Sequence, residues 1–417
     1  MKFNPNYHYD TELLQNLTIE YMQKFEEDLK NHPDYKKLKS KFLFDYQNHT
    51  IVQIHYRTPI TEIKDLSQEQ RFFYPLCSKE EIGRIFNVQN ADDYLLRYRA
   101  EQVVDSSRLH RNFIALRKSK KSRWSFTSYY PIKPFSIYLK TLPEPELNTC
   151  KALTCGYINL HEANGYCMKT DYGNIVVISY ALRYFLYYMN VFHYGDQLDI
   201  AEEDTFNAFL IAVRTMLGNE SLDFDLDSRG DLPKAIHRTI SRLTDNQMQF
   251  IIGHEFAHHY LGHLDGETTN LVKTAFSDNT QAKFYGYSQR HELEADLAAV
   301  MRPNISDAKR CELADAAISF FLWLDLYSCV SEYISPSNGG YRSHPDPIDR
   351  INELRKALPI HIGISEEQIE GLIKYYSGLK EHLQKEILPF EIESFECYGS
   401  VYLPTYKGEI KIDRFQF

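Results

Sequence analysis

The sequence predicts an α+β fold, mainly helical with a small sheet. In most long segments apolar residues recur at three- and four-residue steps, as in Met248, Ile251, Ile252, Phe256 and Tyr260. β-branched runs with period-two alternation are few and short, residues 50–56 and 174–179 being the clearest. There is no internal repeat or low-complexity tract, and 417 residues, 43% of them hydrophobic, suffice to bury the core of two or three domains.

Composition narrows the function classes. A net charge of -10 disfavours a dedicated nucleic-acid binder, which needs a basic face. The 7 cysteines are an odd number, spread widely and without a CxxC pair, so reduced thiols and a cytoplasmic location are expected. The start of the chain has no apolar stretch of signal-peptide length. No uncharged apolar run approaches the ~20 residues that span a bilayer; the nearest, residues 316–324, is interrupted by Asp325 and reads as a buried helix of a soluble domain.

In order along the chain, residues 10–31 read as a helix through Leu13, Leu17, Tyr21, Phe25 and Leu29, stopped by Pro33. Residues 50–56 read as a strand and 91–104 as a helix. The basic run 117–123 reads as a solvated, flexible loop. Pro131, Pro134, Pro143 and Pro145 mark a domain boundary near residue 145. Two strands are expected at 157–164 and 174–179, the second running into a helix over 180–191. Residues 201–217 form an amphipathic helix, and the acidic stretch 220–231 reads as a solvated loop. Asp223, Asp225 and Asp227 mimic the first ligands of a calcium loop, but Ser228 replaces its glycine and Lys234 its final Glu. Ser288, Ser306 and Asp346-Pro347 cap three further helices. Ser365 with Gln368 forms a capping box for a helix to residue 387, and the tail from Phe390 reads as strand and turn.

Chemistry concentrates at Ile252-Gly253-His254-Glu255-Phe256-Ala257-His258, an HExxH on a helix expected to start at Asp245. Residues four apart stack on one helix face, so His254 and His258 can direct two imidazoles at one tetrahedral Zn²⁺. Glu255 then lies beside the metal as the base for a water acidified by it, which is hydrolase chemistry. Downstream, Glu292 and Asp296 share a helix face. Glu292 is the candidate third ligand, and Asp296 can accept the other N–H of a ligating imidazole. His259 and His263 lie well round the helix from His258 and are read as non-ligands, while Leu261 and Leu264 occupy the positions where a metzincin needs Gly and His. The Gly-rich loop ending in His344-Pro345 could bring His344, with Arg342 and Arg350, to the site. His161 and Glu162 lie near a strand against which an extended substrate could pair.

HEFAHHYLGH, preceded by Leu243-Thr244-Asp245-Asn246, resembles the zinc helix of the CAAX prenyl protease and HtpX peptidase family of gluzincins. Glu292-Leu293-Glu294-Ala295-Asp296 is similar to that family's ExxAD helix, and His344-Pro345 with Arg350-Ile351 and Leu354 to its HP(x)₄RI(xx)L segment. The segment 175–186 resembles its edge strand and following helix. The resemblance covers roughly residues 150–356. It implies His254, His258 and Glu292 as zinc ligands, Glu255 as base, an orienting Asp296, and His344 or Arg350 stabilising an oxyanion or ordering the site. Lacking transmembrane helices, the chain does not inherit the family's membrane-bound substrates.

The expectation is therefore a soluble zinc metallopeptidase acting on protein or peptide substrates. Its gluzincin-like peptidase domain (residues 146–360) follows an N-terminal α+β domain (1–145) that could gate the cleft. A C-terminal helix with short strands (361–417) packs on it. The alternative is a catalytically silent, zinc-stabilised scaffold for a protein partner, suggested by the aromatic-rich N-terminal third.

Overall fold

The computed structural model describes residues 31–33, 43–46, 49–52, 63–160, 164–225, 227–263, 268–272, 282–285, 288–336, 345–397 and 399–408. All but the last residue of the helix expected over 10–31, the end of the strand expected over 50–56, and His161, Glu162, Arg342 and His344 lie outside them. The described chain is mostly helical with a small sheet, an α+β arrangement.

An antiparallel pair, β1 (Leu43–Tyr46) and β2 (His49–Val52), precedes four helices: α1 (Gln68–Phe73), α2 (Lys79–Phe86), α3 (Ala91–Asp105) and α4 (Ser107–Lys120). Ser67 and Ser78 open the first two with complete capping boxes. The basic run is not a loop. Arg117, Lys118 and Lys120 form the last turn of α4, where cations oppose the helix's negative end, and Lys121–Arg123 continues as a 3-10 turn. The Pro-rich passage also folds, into α5 (Phe126–Tyr129), α6 (Lys133–Leu139) and α7 (Glu144–Cys150). Pro134 and Pro145 sit in the first turns of α6 and α7, where their missing N–H costs nothing.

Three strands follow: β3 (Thr154–Ile158), β4 (Gly165–Thr170) and β5 (Gly173–Ser179). β5 is central, pairing in parallel with β3 and antiparallel with β4, so the edge expected at residue 175 is instead an interior strand. β4 lies on the other side of β5 from β3, and only its end, at Met168 and Lys169, pairs onward with a further strand. β4 has only a weak apolar alternation in sequence and joins β5 through a tight turn at Gly173, whose φ of 119° favours glycine. Strands β6 (Thr268–Val272) and β7 (Ala282–Tyr285) extend the sheet beyond β4, with β7 meeting β4 at Met168 and Lys169.

Helices α8 (Tyr180–Tyr194) and α9 (Glu202–Met216) pack on each other and lead to α10 (Lys234–Tyr260). α10 starts at Lys234, earlier than expected. Asp245 is therefore an interior position, held by Arg183 at 2.8 Å, and not the cap. α11 (Gln289–Met301), α12 (Asp307–Ile334) and α13 (Pro347–Ala357) start at Ser288, Ser306 and Asp346, as their caps predict. α14 (Glu366–His382) begins at the Ser365/Gln368 capping box. A π turn then leads into α15 (Leu388–Glu396), so residues 390–396 are helical, and a bridge at Gly399 and turns follow in 399–408. α12 is long and apolar enough to cross a membrane, but 67% of its most apolar window is buried inside the protein.

The acidic stretch 220–231 is also unlike its expectation. Glu220, Asp223 and Asp227 are buried and neutralised by Arg108, Arg214 and Arg229. One continuous apolar core runs from Phe73 to Leu403, and Trp323 lies at 0% exposure within it.

Close packing fixes one residue beside the HExxH. A Cβ at Gly253 would lie 2.5–2.6 Å from ring atoms of Tyr138, which stacks near-parallel on Phe256 and donates to the Ala299 carbonyl at 3.0 Å. α6, α10 and α11 thus meet at this glycine. Alanine would gain about 1 kcal/mol of helix propensity, but overpacking against a rigid ring costs about 3 kcal/mol. Gly253→Ala should therefore lose about 2 kcal/mol of stability in denaturant titration; a gain would refute this packing argument.

Candidate metal centre

His254 and His258 lie one turn apart on the buried face of α10, and α11 brings Glu292 opposite them. The two Nε2 atoms are 3.0 Å apart. His254 Nε2 is 3.6 Å from Glu292 Oε2, and His258 Nε2 is 3.4 Å from Glu292 Oε1. Donors held about 2.05 Å from a tetrahedral centre are separated by about 3.3 Å, so these three atoms have the spacing of one metal's ligands. The outer atoms of each ligand are engaged too. His254 Nδ1 is 2.8 Å from Asp296 Oδ1, which leaves Nε2 to face inward. Arg350 forks onto the same carboxylate, with Nε to Oδ2 at 2.8 Å and Nη2 to Oδ1 at 2.6 Å, while its guanidinium lies over the Phe321 ring.

Charge supports the same reading. Glu255, Glu292, Asp296 and Arg350 are all buried. With both imidazoles neutral, as ligands must be, three carboxylates against one guanidinium leave the pocket two negative charges from neutrality, which one divalent cation would supply. The ionisation of the metal-free pocket follows from its contacts. Burial disfavours a charged His254, but Asp296 and Glu292 outweigh it and raise the ring to about 10. Burial pushes His258 down to about 3, helped by the charge on its neighbour His254. Asp296 is also opposed by burial, and the Arg350 guanidinium and His254 hold it below the usual carboxylate range. The donor set, its spacing and this charge deficit fit a resident metal ion.

Glu255 follows His254 on α10, and its side chain packs against the first residue of β4. A Cβ at Gly165 would lie 3.0 Å from Glu255 Oε1. Of the expected site residues, His254, Glu255, His258, Glu292, Asp296 and Arg350 converge. Arg350 meets Asp296 at 2.6 Å and lies 3.7 Å from Glu292 Oε2. Glu294, on another face of α11, receives Arg290 at 2.7 Å. His259 faces the Thr149 carbonyl, away from the ligands. Gly165 and the start of β4 were not legible as part of the site; the short turn before Gly173 was the one available signal. No family model, curated protein or solved structure matches this chain.

Proposed function

We propose that the chain is a zinc metallopeptidase of the gluzincin type. The convergence of His254 Nε2, His258 Nε2 and the Glu292 carboxylate beside Glu255 carries this reading. His254, His258 and Glu292 would hold the ion. Bound there, zinc would polarise a peptide carbonyl and acidify a water. Glu255 takes a proton from the attacking water and passes it to the amine nitrogen as the C–N bond breaks. Arg350 fixes Asp296, and Asp296 fixes the ring of His254. An extended peptide added beside the start of β4 would pass the Glu255 carboxylate, which favours protein or peptide substrates over small esters.

The test combines metal analysis of the purified protein with proteome-wide identification of new N-termini made by the parent and by Glu255→Gln. About one zinc per chain and N-termini made by the parent alone support the proposal. Zinc without any cleavage would favour the silent scaffold, and absence of zinc would remove the metal centre.

The Gly165 contact adds a prediction. In Gly165→Ala the Glu255 carboxylate must shift by a few tenths of an ångström, and kcat/KM should fall about tenfold with little loss of stability. Unchanged kcat/KM would show that Glu255 is not positioned by β4.

A further inference from the structure

We propose that His263 is a positioning residue for the metal. It accepts the Nδ1 proton of His258 and so fixes the tautomer whose Nε2 lone pair points at the ligand cluster. This deepens the metal-site reading above and rests on it.

The placement begins in the backbone. α10 ends at Tyr260, and Gly262 follows with a φ of 76°, the left-handed conformation that glycine adopts at helix ends. The Gly262 N–H donates to the His259 carbonyl at 3.1 Å, so the chain folds back on the helix it has just left. His263, the next residue, is buried with its ring against His258. The two Nδ1 atoms are 3.0 Å apart, and the ring planes cross at 66°. On its other side, His263 Nε2 is 3.3 Å from Glu294 Oε2, and its ring stacks on His291 with centroids 4.2 Å apart.

Hydrogen counting then selects the tautomers. A neutral imidazole carries one N–H and one lone pair, and an ionised carboxylate only accepts. A cation held at Nε2 of His258 leaves that ring's one hydrogen on Nδ1, and the 3.0 Å contact between the two Nδ1 atoms then needs a lone pair on His263. With Glu294 accepting, the hydrogen of His263 sits on Nε2 and its Nδ1 offers a lone pair. The hydrogen between the two rings must then belong to Nδ1 of His258, leaving Nε2 of His258 free to donate to a cation. The relay runs from His258 through His263 to Glu294, with one hydrogen in each link.

The two imidazole ligands are thus oriented by different means. His254 is held by a carboxylate, Asp296, whose charge Arg350 offsets. A second carboxylate placed directly on His258 would add another buried negative charge beside Glu292, where Arg350, already forked onto Asp296, is the nearby guanidinium. A neutral imidazole orients His258 without that charge and passes the electrostatic demand to Glu294, which is partly exposed and paired with Arg290. Partners of this kind tune affinity: losing one typically weakens metal binding about 10–100-fold.

The test measures zinc affinity by chelator competition in the full chain carrying Glu255→Gln, so that no self-cleavage intervenes. Against that background, His263→Leu and His263→Phe, which offer no acceptor, should weaken zinc binding about 10–100-fold. His263→Asn places an amide oxygen where Nδ1 stood, and it should recover affinity to within about threefold of the background. Thermal unfolding of each metal-free variant reports the fold separately. Leu or Phe variants that bind zinc as tightly as the background overturn the inference and leave the peptidase reading standing. Equal weakening in Leu, Phe and Asn, with metal-free unfolding unchanged, also overturns it. A background protein that binds no zinc instead removes the metal site itself. A measurement without any variant complements these. In the zinc-loaded protein the His258 Nδ1–H should appear as a slowly exchanging, nitrogen-coupled imidazole proton, and a hydrogen found on Nε2 overturns the proposal.

Discussion

Glu255→Gln is expected to keep zinc affinity within about threefold of the parent while lowering peptide turnover about 10³-fold, the scale of a lost general base. The side chain is buried beside His254 and against Gly165, and an amide of nearly the same volume fills that space without disturbing the ligands. It also removes one of the three carboxylates, so the charge deficit falls from two to one and some metal affinity is lost. What the amide cannot do is accept a proton from water. Chelator competition reads the first quantity, and the rate at which new N-termini appear in a peptide library reads the second. A variant that retains turnover near the parental rate would assign the base elsewhere, and one that loses zinc altogether would make Glu255 a ligand. Glu255→Asp separates charge from reach: it keeps the carboxylate but withdraws it by one methylene, and an intermediate loss is expected because geometry governs proton transfer.

Local signals explain which parts of this arrangement were legible. His254 and His258 needed only helix periodicity, and Glu292 and Asp296 needed the same rule applied to a second helix. Helix starts at Ser288, Ser306, Asp346 and Ser365 were readable because a cap is a side chain bonding its own next turn, with no tertiary partner required. The start of α10 was not. Asp245 has the chemistry of a cap, but the packing of residues such as Ile240 into the core carries the helix back to Lys234, where Pro233 ends it. The sheet failed for a similar reason. β5 reads as a strand from its β-branched residues, whereas its interior position, and the place of β4 between β5 and β7, depend on pairing between segments. Arg350, 54 residues from Asp296, was reached mainly through the resemblance, whereas His263 is five residues from His258 and its contact depends on how the chain turns back at Gly262. The acidic stretch is the clearest case, because its three neutralising arginines include Arg108 and Arg214 from helices earlier in the chain.

Arg229→Met is the substitution expected to cost most stability, about 3–5 kcal/mol, because it leaves buried carboxylates without their counter-charge. Arg229 is fully buried. Its Nε donates to Glu220 Oε1 at 3.1 Å and its Nη1 to the Asp227 carbonyl at 2.7 Å, while Nη2 meets Asp223 and the Ser221 carbonyl. Its backbone lies in the left-handed region at φ 59°, a conformation unfavourable for a side chain of this size, which these contacts sustain. The Leu403 N–H donates to its carbonyl at 2.7 Å, and Tyr402 donates to Asp227, so the C-terminal segment is tied to the same cluster. Methionine fills the volume but satisfies none of these acceptors. Three carboxylates would then face two guanidinium groups. The effect has a pH signature. Burial opposes the ionised Asp223, but Arg229 and Arg108 hold its carboxyl below the ordinary value near 3.8. A depressed folded pKa contributes stability that is present above the unfolded value and lost as pH falls through the folded one. Removing Arg229 takes away much of that depression. The parent should therefore lose more stability than the variant as pH falls from about 5 to about 3, and the gap between them should narrow. Denaturant titrations across that range read both slopes, and a gap that widens on acidification would refute the assignment. None of the named partners of Arg229 lies on α10 or α11, so the folded fraction of the variant should still hold zinc in the parental ratio. Loss of metal in parallel with stability would instead show that the cluster and the ligand helices unfold as one unit.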